Sequence, residues 1–167
     1  MIQYCEIISP LGKMLAAARD DKLVGLWFYG QKYFPATSGG SKKETQAGIF
    51  ASLQNQLTEY FARKRQVFDL PLAPAGSPFR MQTWLLLQKI PFGETVTYGE
   101  LATSLAAPEG KPPAAQAVGS AVGHNPLSIL IPCHRVLAKD GKLTGYAGGL
   151  DKKAALLQLE GIHSFRS

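Results

Sequence analysis

Between Asp69 and Pro78 the chain runs Asp-Leu-Pro-Leu-Ala-Pro-Ala-Gly-Ser-Pro, with three prolines and a glycine in one short stretch. No helix or central strand passes through such a run. Each proline fixes its own φ and lacks the amide that a ladder needs. The run is the best place in the sequence for a domain boundary. It predicts two small domains, residues 1–77 and 78–167.

The first half reads as β structure followed by a helix. Ile2 to Ser9 is rich in β-branched and aromatic residues, and Lys13 to Arg19 follows a Pro10-Leu11-Gly12 turn. Leu23 to Tyr29 resumes an apolar run after the polar Arg19-Asp20-Asp21-Lys22, giving a small antiparallel sheet. Gly30 to Lys43 is loop-like. Glu44 to Lys64 then places Phe50, Leu53, Leu57, Tyr60 and Phe61 at helical spacing, which predicts an amphipathic helix on the sheet.

The second half is a series of short helices. Ser77-Pro78 pairs an N-cap serine with proline at the first helical position, opening a helix that Met81, Trp84, Leu85 and Leu87 or Gln88 carry to about Ile90. Thr97 and Glu100 form a capping box before a helix from Tyr98 to about Leu105. A turn over Ala107 to Pro113 leads to a helix over Ala114 to Gly123, with Ala117, Val118, Ala121 and Val122 as its inward stripe. Two short helices around a turn fit a helix-turn-helix or a plain helical hairpin. The outward residues of the second helix, Ala115, Gln116, Gly119 and Ser120, are uncharged and mostly tiny. Such a surface suits a partner's close approach, or tight packing.

Composition excludes several classes. Hydrophobic residues make up 46% of the chain, so global disorder is ruled out. No apolar run reaches the ~20 residues of a membrane helix, and Met1 to Glu6 lacks the pattern of a secretory signal. Two distant cysteines, Cys5 and Cys133, form no disulfide framework, which points to a soluble protein in a reducing compartment such as the cytoplasm. The net charge of +6 is compatible with nucleic acid, but the cations are spread evenly over both halves and form no basic tail.

The apolar run Leu127 to Ile131 reads as a buried strand and leads into Pro132-Cys133-His134-Arg135-Val136. A thiol held on a rigid turn beside a histidine and an arginine meets the conditions that favour thiolate, against about 8.5 for a free thiol. A base beside a thiol also suits nucleophilic catalysis; a structural cysteine next to a surface histidine is the alternative. Cys5, in a strand with no histidine nearby, reads as structural. Gly141 to Leu150 reads as a glycine-rich loop around a pocket, with Tyr146 as its aromatic. Lys152 to Gly161 is an amphipathic helix ended by Gly161. Glu160 lies in its last turn, where the helix dipole disfavours an anion, and this calls for a partner.

Taken in order, Pro91-Phe92-Gly93-Glu94-Thr95, Thr97-Tyr98-Gly99, Ala117-Val118-Gly119, Asn125-Pro126, Ile131 to Val136, Gly145 to Gly149 and Leu156-Leu157 through Glu160-Gly161 resemble the O6-alkylguanine-DNA alkyltransferases, also called methylated-DNA–protein-cysteine methyltransferases. The match covers residues 78–167, and the first half agrees in outline. The resemblance implies an α/β (α+β) fold. A small N-terminal antiparallel sheet with a helix, ribonuclease H-like in outline, would precede a mostly helical, winged-helix-like domain carrying the helix-turn-helix.

It also implies single-use DNA repair. Cys133 would accept the alkyl group of O6-alkylguanine, and of O4-alkylthymine, from double-stranded DNA bound through its minor groove, after the base is flipped out. His134 would take the thiol proton through a bridging water, and Glu160 would hold the imidazolium. Tyr98 would donate to the purine, and Asn125 would tie the DNA-binding helix to the active-site strand. Val136, Tyr146 and Ala147 would line the pocket, with the carbonyls of Cys133 and Val136 accepting from the exocyclic amine. Tyr98, Gly99, Lys111, Ala115, Gln116, Ala117, Gly119 and Lys139 would meet DNA. No cofactor and no metal is implied, and a monomer is expected. Cys5 and the histidines 124, 134 and 163 do not make a zinc set.

Two departures stand out. Gln116 occupies the place of the family's intercalating arginine and lacks its charge and stacking plane, which predicts weaker DNA binding or a less stable flipped state. The turn Ala107 to Pro113 is longer than the family's, either bringing Lys111 to a phosphate or adding slack. A turnover thiol hydrolase and a lesion sensor without transfer are the rival readings.

Overall fold

The structure, a computed structural model, describes residues 2–36, 41–42, 48–106 and 110–167. It divides into two units, Met1–Ala75 with Pro126–Ser128, and Gly76–Asn125 with Ile129–Ser167.

The first unit is built on a meander of β1 (Gln3–Ser9), β2 (Gly12–Arg19) and β3 (Lys22–Phe28), antiparallel throughout. A short β4 (Ser41–Lys42) adds in parallel to β1. The β2–β3 turn is Asp20-Asp21, both at positive φ (53° and 59°). This mirror-image turn matches the strand twist, and aspartate tolerates it better than most residues. Met14 to Ala18 are buried without alternation, because both faces of β2 are covered. One face carries the cluster of Tyr4, Leu15 and Ala17, with Ile2, Val24, Trp27 and Phe34 against it. The helix α1 (Ile49–Phe61) packs on β1 and buries Phe50, Leu53, Leu57 and Tyr60. The expected helical start at Glu44 lies outside the described residues.

In the second unit, α2 (Pro78–Gln88) begins as the sequence predicts, with Ser77 Oγ accepting from the Arg80 amide at 3.3 Å. Trp84 is its anchor, and the indole donates to the Ala121 carbonyl at 2.8 Å. Gly76, in the proline-rich run, is where that ring meets backbone: a Cβ there would stand 2.6 Å from the indole. Leu85, expected to help carry the apolar face, is 58% exposed; Thr83 is buried on the inner face instead, its hydroxyl donating to the Phe79 carbonyl. The helices α3 (Tyr98–Ser104) and α4 (Ala115–Gly123) pack on one another and on α2. The capping box of α3 is complete, Glu100 N to Thr97 Oγ1 at 3.1 Å and Thr97 N to Glu100 Oε1 at 3.0 Å. Of the turn Ala107 to Pro113, Ala107 to Glu109 lie outside the described residues. Two short parallel strands, β5 (Val96–Thr97) and β6 (Val136–Leu137), stand just before α3 and just after the Cys133 turn. The helix α5 (Leu150–Leu159) closes the unit over Leu137, Leu143, Leu157 and Ile162.

The strand expected over Leu127 to Ile131 does not form. Leu127 alone bridges to Leu26, in parallel, and Ile129 turns at φ 71°. These residues are buried as expected, but a left-handed β-branched residue breaks the extended run before it can pair. No described helix is long and apolar enough to cross a membrane.

Candidate active site

The peptide around Cys133 is held by a small set of bonds. Pro132 sits at φ −80°, ψ 64°, and the Cys133 amide donates to the Ile131 carbonyl at 2.8 Å. That is an inverse γ-turn, which proline's fixed φ favours. Cys133 to Arg135 then form one 3₁₀ turn leading into β6. Asn125, just past α4, is buried, and its amide nitrogen donates both to the Ile131 carbonyl (2.7 Å) and to Cys133 Sγ (3.1 Å). The same side chain thus braces the turn and touches the sulfur.

The thiol is buried, and burial pushes it above its ordinary value. The Asn125 amide is the largest opposing influence, followed by the charge of Lys153. The sequence expectation of an electropositive, thiolate-favouring turn is therefore corrected. Arg135 does not face the sulfur, and desolvation outweighs the favourable groups, so the resting state is the thiol.

Arg135 is committed elsewhere. Its Nε donates to Glu160 Oε1 at 2.8 Å, one terminal nitrogen donates to Glu160 Oε2 at 3.0 Å, and the other donates to the Ile90 carbonyl at 2.6 Å. The guanidinium also lies 5.9 Å from the centre of the Phe92 ring. Glu160 Oε2 lies 2.7 Å from His134 Nε2, and the Gly93 amide donates to Oε1 at 3.2 Å. The side chains of His134 and Glu160 are fully buried. Glu160 therefore has the partner that its place at the end of α5 calls for, and more than one. An ionised carboxylate only accepts, so Nε2 carries the imidazole proton and Nδ1 presents its lone pair. That Nδ1 is buried and has no hydrogen-bond partner among the described residues. Burial holds His134 below its ordinary value of 6.5; the bond and charge of Glu160 pull upward, and Arg135 and Lys153 push down.

Tyr98, Lys153 and the 144–147 loop form the rest of the site. The Tyr98 hydroxyl donates to the Thr144 carbonyl at 3.3 Å, and Lys153 Nζ donates to the same carbonyl at 3.0 Å and to that of Gly145 at 3.2 Å. The ammonium sits 5.9 Å from the Tyr98 ring centre. Burial lowers Lys153 to about 8, with Cys133 acting against the shift. The Tyr98 hydroxyl is raised by burial first and by Cys133 second, which keeps it a proton donor. Val136 is buried in β6; Tyr146 and Ala147 are half-buried in the loop. Cys5 is buried in β1, its thiol donating to the Glu6 carbonyl at 3.4 Å.

The residues expected at DNA are mostly exposed. Gly99, Lys111, Ala115, Gln116 and Lys139 all reach solvent, and Gly119 is half-buried. Ala117, expected in the inward stripe, is exposed; Val118, Ala121 and Val122 make that stripe alone. A Cβ at Gly119 would meet nothing within 4 Å. Glycine in mid-helix costs about 1 kcal/mol relative to alanine. Among the described residues no neighbour stands close enough to require a glycine there.

Sequence reasoning missed the roles of Arg135 and Lys153. A signal for Lys153 exists: it shares one helical face with Leu156, Leu157 and Glu160, so a cation stands on an apolar stripe that ends in an anion.

Comparison with known proteins covers both halves. A family model described as the DNA binding domain of 6-O-methylguanine DNA methyltransferase matches residues 78–162, and one described as its ribonuclease-like domain matches residues 2–74. A methylated-DNA–protein-cysteine methyltransferase of Mycolicibacterium paratuberculosis is 46% identical over 164 residues, which is 98% of this chain and 95% of the relative. One from Methanosarcina barkeri is 47% identical over 161 residues, 94% of this chain and 96% of its own. Among solved structures, a Mycobacterium tuberculosis O6-methylguanine methyltransferase superposes with a TM-score of 0.84 at 42% identity, covering 96% of this chain and 93% of that one. Mycobacterium tuberculosis OGT in complex with DNA gives 0.85 at 40% identity, covering 95% and 92%.

Proposed function

The chain belongs to the 6-O-methylguanine DNA methyltransferase family and is a DNA-repair methyltransferase by that membership; from that premise we propose that Cys133 is its acceptor, used once per molecule. The substrate is O6-alkylguanine in duplex DNA, with O4-alkylthymine as a second lesion. Free of DNA the protein is a monomer, in the bacterial cytoplasm or on the nucleoid. Residues 78–167 carry the reaction, and residues 1–77 form a separate domain.

The protein docks α4 in the minor groove. Exposed Ala115 and Ala117, with Gly119, let the backbone approach the groove walls, while Gly99, Lys111 and Lys139 meet the sugar-phosphate chain. The damaged base leaves the stack, since its alkylated oxygen is out of reach inside it. Gln116 fills the gap. The base enters a pocket lined by Val136, Tyr146 and Ala147. There the carbonyls of Cys133 and Val136 accept from its exocyclic amine, and the Ala147 amide donates to the oxygen.

The thiol proton passes to His134 Nδ1 through a bridging water, and Glu160 stabilises the imidazolium that forms. Sulfur attacks the alkyl carbon, the carbon–oxygen bond breaks, and its electron pair stays on the purine. Tyr98 donates a proton to the ring and makes the purine a better leaving group. The product is a thioether, which no second nucleophile in the site cleaves.

One observation carries this reading: the buried Cys133 thiol receives the Asn125 amide, and the next residue is a buried histidine bonded to a buried carboxylate. The test is a duplex carrying labelled O6-methylguanine. The label should move one-to-one onto Cys133 and stay on the DNA with Cys133→Ser. Repeated turnover would point to a hydrolase, and binding without transfer to a sensor.

A further inference from the structure

We propose that Arg135 is a positioning residue whose guanidinium, by closing on both oxygens of Glu160, keeps His134 a neutral base until Cys133 gives up its proton. The inference deepens the acceptor reading and rests on it.

The geometry separates two roles of the carboxylate. Glu160 offers His134 one hydrogen bond at 2.7 Å, which fixes the ring and its tautomer. Its charge is answered by Arg135, which takes Oε1 at 2.8 Å and Oε2 at 3.0 Å in a fork that only arginine provides. The Ile90 carbonyl holds the far side of the guanidinium, so the fork has no freedom to swing away. The Gly93 amide adds a fourth donor to the carboxylate. A buried histidine facing an uncompensated carboxylate would be drawn into a standing imidazolium. Here the group of arginine, carboxylate and neutral imidazole is already electrically balanced. Adding a proton to His134 leaves one uncancelled positive charge in a buried site, unless a negative charge appears beside it. The Cys133 thiolate is that charge.

Of the groups facing His134, Glu160 alone pulls toward the imidazolium; the others push the same way as Arg135 or are neutral at rest. From α5 come Glu160 and Lys153, from its own turn Cys133 and Arg135, and Tyr98 of α3 faces the sulfur. The ammonium of Lys153 further disfavours an early imidazolium. Imidazolium and thiolate thus form together or not at all. For a cysteine that is spent in one reaction this has a use: a standing thiolate would be consumed by any passing electrophile.

The test follows His134 by NMR titration of the free protein, with the pH profile of label transfer beside it. In the unaltered protein His134 should titrate below 6.5, its ordinary value. In Arg135→Met the midpoint should move up by about one pH unit. The acid limb of transfer should move up with it, by the same about one pH unit. Arg135→Lys, which keeps the charge and loses the fork, should fall between. A His134 midpoint at or above 6.5 in the unaltered protein overturns the proposal. So does a folded Arg135→Met with an unmoved midpoint, or an Arg135→Lys that shifts as far as Arg135→Met. If Arg135→Met does not fold, the unaltered protein and Arg135→Lys decide. Shifted midpoints without any label transfer would sink the acceptor reading and leave the positioning role standing.

Discussion

The outer face of α4 and the surroundings of Cys133 reverse the usual placement of charge. The helix proposed to dock on DNA presents Ala115, Gln116, Ala117, Gly119 and Ser120, without a single ion. The buried site holds Arg135, Glu160, Lys153 and a titratable histidine, all almost wholly removed from solvent. Charge is cheap at a surface and costs several kcal/mol inside. A sequence that does the reverse is shaped by two separate demands. On α4, under the proposed docking, the demand is close approach, which side chains of any size or charge obstruct. Around Cys133 it is proton control, which needs charged groups fixed by full pairing in a dry place.

The largest expected effect lies in the buried region. Glu160→Gln removes the one anion that balances Arg135 and anchors His134. The remaining guanidinium would be left buried against a neutral amide, a loss of about 3–5 kcal/mol for a broken interior pair. Urea denaturation should show that loss, and label transfer should fall at every pH because the imidazolium has no stabiliser. A loss under about 1 kcal/mol, the worth of a surface pair, would mean that the buried and exposed regions do not differ as described.

Much of this contrast was legible in the sequence, but unevenly. The Ser77-Pro78 cap and the Thr97/Glu100 capping box rest on contacts within a few residues, and the β-meander joins consecutive strands through tight turns, so local pattern encodes all three. Glu160 betrayed its burial because an anion at a helix C-terminus is locally unfavourable. Arg135 gave no such sign. Its partners Ile90 and Glu160 lie 45 and 25 positions away, and nothing local distinguishes a buried fork from a surface cation. The strand expected at Leu127 to Ile131 failed for the opposite reason. Its residues have the right apolar content, but content does not reveal the left-handed turn at Ile129. Ala117 was misplaced because a helix of small residues has a weak apolar stripe, so period alone does not fix its inner edge.

The second effect tests the exposed region. Gly119→Leu replaces a poor helix former with a good one at a position where a Cβ meets nothing within 4 Å. Stability should rise by about 0.5–1 kcal/mol. Affinity for duplex DNA should fall at least about tenfold, because in the proposed docking the new side chain stands where the groove wall comes. Thermal melting and fluorescence anisotropy measure the two halves of the prediction. Stability and binding moving together would mean that Gly119 serves the fold and not a partner.

The smallest effect sharpens the comparison where it is most extreme. Gln116→Arg places a cation on the face that has none, at the position where the sequence resemblance leads one to expect an intercalating arginine. The fold should not notice: Gln116 is exposed, and the two residues have similar helix propensity. One added cation near phosphate should raise affinity by a few-fold at low salt. It should also steepen the dependence of log K on log salt by about one. If the guanidinium also stacks in the gap left by the base, the rate of label transfer rises as well as the affinity, because the flipped state itself is stabilised. A steeper salt slope with an unchanged transfer rate would assign the arginine to phosphate attraction alone, and Gln116 would then already suffice to hold the gap. No change in slope, affinity or rate would place Gln116 away from the nucleic acid and move the docking face off this edge of α4.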